Sequence, residues 1–186
     1  MKAATVRRYG PPEVVGIEDL PQPRPTSGEV LVRVAAAGVT TGDARIRGGD
    51  APPGFALLMR LIFGVLRPRN PVMGMEFSGT VAAVGPGATG FAAGDSVFGL
   101  TGMKGGAHAE YLTIRADARL FPQPESLTST EAAGFFFGGL TAADFLIDKA
   151  GLQAGERLLI NGATGAVGSA AIQIATGIGA KVTAVC

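Results

Sequence analysis

A glycine-rich turn within residues 158–175, LLINGATGAVGSAAIQIA, constrains the fold of this chain more than any other feature. An apolar strand leads into three evenly spaced glycines, and a helix with small residues follows. A pyrophosphate can approach the N–H groups of a helix N-terminus only where side chains are absent, and the last glycine lets the helix pack on the strand. The pattern predicts dinucleotide binding, with a merely structural turn as the alternative. The predicted cofactor-binding residues here are Gly162, Thr164, Gly165, Ala166, Val167 and Gly168.

A second strand, Lys181–Val185, follows the helix and completes a strand–helix–strand unit. Such crossovers are right-handed and join parallel strands, so we expect the first βαβ unit of an α/β Rossmann domain. Only 18 residues follow Gly168, and we therefore expect an incomplete Rossmann domain, from a fragment or the ordered part of a longer protein. The residue that distinguishes NAD from NADP lies about 20 positions past the turn, so this pattern leaves the cofactor open.

The first part of the chain is predicted to form short strands separated by glycine and proline. In the clearest strand, residues 29–35, three valines alternate with other residues. Spacing of this kind indicates an antiparallel barrel or sandwich. Helical spacing begins at Thr128, and Ser126 and Thr128 are candidate N-caps. We therefore predict one domain at 1–125 and a second at 126–186. The other predicted strands of the first domain are 4–8, 14–17, 76–84, 96–98 and 109–113.

Residues 52–69 break the strand pattern, because their apolar side chains recur at helical spacing. Three interpretations remain open: a helix packed on the barrel, a lid or interface helix beside a cleft, and a segment attached to a membrane surface. The apolar run FALLMRLIFGVL has 12 residues, and a membrane-spanning helix needs about 20. We therefore expect no membrane-spanning segment and no membrane partner.

Composition excludes several classes of protein. Apolar residues make up 47% of the chain and charged residues 17%, which is unlike a disordered chain. The formal net charge is +1, so no basic excess indicates a nucleic-acid partner. Cys186 is the single cysteine, which excludes an internal disulfide. Two arginines precede any apolar run long enough for a signal peptide, and we expect a cytoplasmic protein with a small-molecule substrate.

Four stretches resemble the medium-chain dehydrogenase/reductase superfamily, and specifically its zinc-independent quinone oxidoreductase-like branch. They are SGEVLVRVAAAGVTTGD, PVMGMEFSGTVAAVGPGATGFAAGDSVFG, GGAHAEY and GLTAADFLIDKAGLQAGERLLINGATGAVGSAAIQIA. The resemblance implies a GroES-like β-barrel domain followed by a Rossmann domain, with the cofactor in the cleft between them. It also implies NADP as the cofactor, without excluding NAD, and a homodimer in the full-length protein. We expect the present chain alone to show little turnover.

The zinc ligands of related dehydrogenases are replaced in this chain. By resemblance, Thr40 and Met75 stand where zinc-dependent relatives carry a cysteine and a histidine. A hydroxyl and a thioether are poor zinc ligands, so we expect no metal. Without a Lewis acid to polarise an alcohol or carbonyl, quinones and α,β-unsaturated carbonyls are the expected hydride acceptors. The alternatives are a metal-free alcohol or aldehyde dehydrogenase and a nucleotide-binding protein without turnover.

The resemblance assigns roles to three further polar residues. Thr40 and Asp43 are the predicted catalytic residues. The Thr40 hydroxyl would donate to the substrate oxygen, although it is equally suited to capping a helix that starts near Gly42. The alternative role of Asp43 is to organise a loop. Thr141 is predicted to contact the nicotinamide end of the cofactor, with helix packing as the alternative. We expect His108 to be a solvent-facing loop residue.

Overall fold

A computed structural model describes residues 1–51 and 53–186. The chain forms two compact units, Met1–Ala133 and Gly134–Cys186. The division differs from the predicted one between residues 125 and 126, because the short helix α3 (Ser129–Ala133) belongs to the first unit. Ala132 and Ala133 are buried there, and the hydroxyl of the buried Ser78 donates to the Ser129 carbonyl at 2.6 Å.

Antiparallel strands dominate the first unit. A five-stranded sheet has the order β6-β3-β4-β5-β7, and β1 and β2 form a separate pair. Bridges from Ala3 to Ala109 and from Thr5 to Val72 join β1 to neighbouring segments. The strands are β1 (Lys2–Val6), β2 (Val15–Asp19), β3 (Glu29–Ala37), β4 (Glu76–Val84), β5 (Ser96–Leu100), β6 (Tyr111–Arg115) and β7 (Leu120–Pro122).

The core of the first unit lies on one face of this sheet. Val30 and Val32 of β3 pack there with Phe77 of β4 and Val97 of β5, and all four are completely buried. The strand predicted over residues 29–35 is confirmed, but its burial does not alternate at the start, because Leu31 between the two valines is also only 5% exposed. Pairing between β3 and β4 is irregular after Leu31 and after Val34. Irregularities of this kind bend a sheet and increase its twist, as closing a barrel requires.

Capping decides where two helices of the first unit begin. Thr40 caps α1 (Thr41–Gly48), with Asp43 completing a capping box. Thr128, one of the two predicted N-caps, caps α3 because its hydroxyl oxygen accepts from the Glu131 N–H at 3.3 Å, and its own N–H and hydroxyl donate to the Glu131 carboxylate. The Thr128 side-chain hydroxyl, and then its backbone N–H, hold the pKa of Glu131 below its ordinary value.

The helix predicted over residues 52–69 is shorter than expected and lies at the surface. It is α2 (Ala56–Phe63), and no α2 side chain is fully buried. Met59, Arg60 and Phe63 are half-buried and Arg60 contacts the Tyr9 ring, so the helix lies on the surface of the first unit. Pro52 lies outside the described residues. Within the described part of the chain, no helix is both long and apolar enough to cross a membrane.

The second unit is a strand–helix–strand arrangement preceded by another helix. Strands β8 (Arg157–Asn161) and β9 (Lys181–Val185) pair in parallel, and α5 (Ala166–Ile178) connects them. Before them, α4 (Phe135–Ala143) continues into a π-helical segment, Asp144–Lys149. The core joins Ile160 of β8 to Ala171 and Ala175 of α5. The predicted fold class, a GroES-like β-barrel followed by the first βαβ unit of a Rossmann domain, is confirmed.

The buried face of β4 should dominate the stability of the first unit. Phe77 has 0% exposure and lies at the centre of the core cluster. Phe77→Ala leaves a cavity, and we expect it to lower the free energy of unfolding by about 3–5 kcal/mol. Ile17, which is 68% exposed on β2, supplies the control, and Ile17→Ala should cost less than about 0.5 kcal/mol. Urea unfolding followed by circular dichroism measures both, and equal losses would contradict this assignment of the core.

Candidate functional site

The glycine turn is held in place by the end of strand β9. Gly162 follows β8 with a φ of +74°, in the left-handed region that favours glycine. The backbone N–H groups of Gly162 and Ala163 both donate to the Val185 carbonyl at 3.0 Å, and that of Gly165 donates to the Gly162 carbonyl at 3.1 Å. These bonds fix the path of the turn between the two parallel strands.

Helix α5 begins at the turn without a side-chain cap. Gly165 is its N-cap in extended conformation and no side chain caps the first turn. The first N–H groups of a helix have no intrahelical partner, and the helix dipole makes this end positive. These two properties together make a helix N-terminus suitable for an anion such as pyrophosphate. The residues that supply these N–H groups are Ala166, Val167 and Gly168, all of which were predicted to bind cofactor.

Gly165 and Gly168 have different roles in this turn. A Cβ on Gly168 would lie 2.3 Å from the Gly162 carbonyl oxygen and 2.7 Å from the Ala163 Cα. Only glycine therefore allows α5 to pack this closely against the turn. A Cβ on Gly165 would meet nothing closer than the Gly162 oxygen at 3.4 Å, so the space beside Gly165 is open. A cofactor phosphate fits such a space, whereas a larger side chain at residue 165 would occupy it.

Helix α4 packs closely on the start of α5. A Cβ on Gly138 would lie 2.4 Å from the Ala166 carbonyl oxygen, so glycine is required at this contact too. Thr141 lies three residues after Gly138, and therefore on the same face of α4. Its hydroxyl donates to the Phe137 carbonyl at 2.6 Å, which leaves an acceptor lone pair available. A contact between Thr141 and the cofactor stays a prediction.

In the first unit, the two predicted catalytic residues form one hydrogen-bonded pair. The Thr40 backbone N–H and hydroxyl both donate to Asp43 Oδ2 at 2.8 Å. The Asp43 N–H donates back to the Thr40 hydroxyl oxygen at 3.4 Å. The arrangement is the helix cap considered as the alternative role for Thr40. A threonine hydroxyl has a single proton, so donating to a substrate requires it to leave Asp43.

The Asp43 carboxylate also holds a distant loop. Asp43 is only 5% exposed, and its Oδ1 accepts from the Gly74 backbone N–H at 3.1 Å. Gly74 has a φ of +91°, and the Thr101 hydroxyl donates to its carbonyl at 3.0 Å. Asp43 therefore joins the start of α1 to the loop that precedes β4.

His108 lies against the same loop, contrary to the expectation of a solvent-facing residue. It is partly buried, and its Nε2 lies 2.9 Å from the Gly38 carbonyl oxygen. A carbonyl can only accept a hydrogen bond, so Nε2 is the nitrogen that carries the proton. A Cβ on Gly74 would lie 2.5 Å from the His108 ring. The ring and the loop therefore fit together only because residue 74 is glycine.

The two residues that replace zinc ligands meet at one glycine. A Cβ on Gly42 would lie 2.7 Å from the Met75 terminal methyl and 3.3 Å from the Thr40 hydroxyl oxygen. The structure thus brings Thr40 and Met75 together, but a hydroxyl and a thioether are unsuitable as a zinc site. No group of three or more histidine, cysteine, aspartate or glutamate side chains suited to a metal occurs among the described residues.

A cavity of about 660 Å³ lies in the first unit beside this loop, and ligand pockets have volumes of about 300–1,000 Å³. Methionine and aliphatic side chains supply much of its wall, and Asp43 is the one carboxylate in the described lining. Arg69 and Lys104 contribute positive charge. Sequence reasoning missed this cavity because its walls come from separate segments. The wall includes Asp43, Ile62, Phe63, Arg69, Met75 and Lys104.

Comparison with known proteins agrees with this arrangement. Residues 26–125 match the alcohol dehydrogenase GroES-like domain family. The quinone oxidoreductase of Sus scrofa is 37% identical over 185 residues, which are 98% of this chain and 51% of that protein. The chain therefore spans about half the length of this curated relative.

Two solved structures extend the likeness to both units. An alcohol dehydrogenase superfamily protein from Novosphingobium aromaticivorans is 38% identical with a TM-score of 0.81, covering 99% of this chain and 52% of its own. An NAD-dependent alcohol dehydrogenase is 35% identical with a TM-score of 0.85, covering 99% of this chain and 57% of its own. The chain therefore belongs to the medium-chain dehydrogenase/reductase superfamily and is quinone oxidoreductase-like, with its GroES-like domain at residues 26–125.

Proposed function

We propose that this chain is part of an NADPH-dependent oxidoreductase that transfers hydride to a quinone or an α,β-unsaturated carbonyl without zinc. The observation that carries the proposal is the uncapped N-terminus of α5, reached through a glycine turn with open space beside Gly165. The likeness to quinone oxidoreductase of Sus scrofa supports the reaction class. The cofactor preference for NADP over NAD rests on family resemblance.

The residues of the second unit fit a dinucleotide. The first N–H groups of α5 would bind the pyrophosphate, and Gly162 and Thr164 would line the turn around it. Gly165 would leave room for a phosphate, while Gly168 keeps α5 close to β8. Thr141 would approach the nicotinamide end from α4. A reduced nicotinamide supplies the hydride when it is bound.

Thr40 and Asp43 have different roles in the proposed reaction. Hydride addition to an electron-poor carbon leaves negative charge on the substrate oxygen, and a hydroxyl donor stabilises that charge. Thr40 would be this donor. Asp43 would act as a positioning residue, because it keeps the N–H groups of Thr40 and Gly74 when the hydroxyl turns to the substrate.

A metal-free alcohol or aldehyde dehydrogenase is the second candidate. The observation that favours it is the 35% identity to a protein described as an NAD-dependent alcohol dehydrogenase. Against it, Thr40 and Met75 supply no Lewis acid to polarise a simple carbonyl. In either case, we propose a small-molecule substrate, a homodimeric full-length protein in the cytoplasm, and no nucleic-acid partner.

Gly165 and Gly177 form a matched pair for testing cofactor binding. A side chain at residue 165 would fill the space assigned to the phosphate, while a Cβ on Gly177 would meet nothing within 4 Å. We expect Gly165→Val to weaken NADPH binding about tenfold or more, because the phosphate must approach the backbone closely. Gly177→Val should bind as the wild type does. Titration by nicotinamide fluorescence measures both, and unchanged affinity in Gly165→Val would contradict the proposed binding mode.

Variants of Thr40 distinguish a catalytic role of its hydroxyl from a role in capping helix α1. Thr40→Val removes the hydroxyl, and in the full-length protein we expect about a hundredfold loss of kcat/KM with an enone, as for loss of an oxyanion donor. Stability should fall by only about 1 kcal/mol, from the lost cap. Thr40→Ser keeps the hydroxyl and should restore most of the activity. A Thr40→Val variant that loses stability but keeps its kcat/KM would show that Thr40 is a cap alone.

Substrate class is tested on the full-length protein by following NADPH consumption with a quinone, an α,β-unsaturated ketone and a simple aldehyde. We expect turnover with the first two and little with the aldehyde, because only the first two accept hydride without a Lewis acid. A chelator should leave the rate unchanged. Preference for the aldehyde would favour the second candidate, and failure to bind either NADPH or NADH would rule out both candidates.

A further inference from the structure

Seven large apolar side chains are exposed in one short stretch around α2. Their exposure ranges from 38% to 87%. Single exposed apolar residues are common on protein surfaces, but a contiguous group marks an interaction site. We call this group the α2 surface, and its members are Phe55, Leu57, Leu58, Leu61, Ile62, Val65 and Leu66.

Arg60 lies on the other side of α2 from the α2 surface, and its contacts with Tyr9 leave the α2 surface facing outward. The Arg60 guanidinium lies 4.2 Å from the centre of the Tyr9 ring and donates to the Val65 carbonyl at 3.0 Å. The Tyr9 hydroxyl donates to the Gly64 carbonyl at 2.6 Å. These contacts fix the end of α2 and turn its one charged side chain toward Tyr9. The outward face therefore carries only apolar side chains.

The charge around the α2 surface is strongly asymmetric. Residues 44–75 contain five arginines and one aspartate, a formal charge of +4, whereas the rest of the chain has 11 basic and 14 acidic residues, or −3. Arg67 and Arg69 follow α2 directly and are exposed. Neither forms an ion pair with any carboxylate in the described part of the chain. The segment around α2 therefore carries exposed apolar side chains together with two exposed arginines, Arg67 and Arg69.

We propose that the α2 surface docks on an anionic lipid bilayer. Short helices with apolar side chains on one face and arginines at the border bind at the boundary between headgroups and acyl chains. Anionic lipids attract such arginines. The expectation of no membrane partner rested on the absence of a spanning segment, whereas surface docking needs none.

Charge argues for a bilayer rather than a second copy of this chain as the occupant. In a two-fold symmetric contact the same surface faces itself, so Arg67 and Arg69, which are exposed directly after α2, would lie close to the same two arginines of the second copy. Like charges opposed across an interface are unfavourable. An anionic lipid surface instead supplies the opposite charge along with an apolar interior.

Co-sedimentation with lipid vesicles tests the proposal. We expect binding to vesicles of equal parts phosphatidylcholine and phosphatidylserine, little binding to phosphatidylcholine alone, and weaker binding at high salt. Leu57→Ser/Leu66→Ser should weaken binding about tenfold or more, because it removes inserted apolar surface. Arg67→Gln should weaken it about fivefold, from one lost lipid contact.

The matched control removes an exposed apolar residue and an exposed arginine elsewhere in the first unit. Ile17 is 68% exposed and Arg24 is also exposed, so Ile17→Ser/Arg24→Gln should bind vesicles as the wild type does. Equal binding of wild type and Leu57→Ser/Leu66→Ser would overturn the proposal. So would self-association without vesicles that Leu57→Ser/Leu66→Ser abolishes, because the α2 surface would then join two copies of the chain.

Discussion

One buried carboxylate organises the candidate site in the first unit. Asp43 accepts hydrogen bonds from the Thr40 backbone and hydroxyl and from the Gly74 N–H. A buried carboxylate is tolerated only when its oxygens are well hydrogen-bonded, so helix α1 and the loop before β4 must keep their mutual position. That position brings Thr40 and Met75 together beside Gly42 and places Asp43 and Met75 in the wall of the cavity. The proposed substrate donor therefore depends on a carboxylate that need not touch substrate.

Glycine performs two distinct tasks in the second unit, and the distinction bears on function. At Gly138 and Gly168 glycine allows backbones to approach, with a Cβ lying 2.4 Å or less from a carbonyl oxygen. At Gly165 a Cβ would meet no atom of the described residues closer than the Gly162 carbonyl oxygen at 3.4 Å, so packing does not require glycine there. The open space beside Gly165 is therefore the feature of the turn that favours the proposed cofactor binding.

Local patterns predicted much of the fold. Strands β4 and β9 begin and end where the sequence indicated, because turn residues bound them. Strand β7 was not predicted, since three residues are too few to show alternation. The partly buried position of His108 depends on a carbonyl 70 residues away. No local pattern records such a contact, although a glycine between two methionines at residue 74 hints at a special backbone conformation. The hydrogen bond from Ser78 to Ser129 of α3 also joins residues far apart in the sequence. The sequence pattern therefore does not indicate that α3 belongs to the first unit.

The double hydrogen bond at Val185 has a consequence for cofactor choice. Because the Gly162 and Ala163 N–H groups both donate to this carbonyl, backbone hydrogen bonds alone hold the end of β9 against the glycine turn. In Rossmann domains, the residue that reads the adenosine ribose lies at the end of this second strand. The hydrogen bonds to Val185 use no side chain of β9, so substitutions at the end of β9 leave the glycine turn in place. In the proposed binding mode, the choice between dinucleotides is therefore separate from the position of the turn.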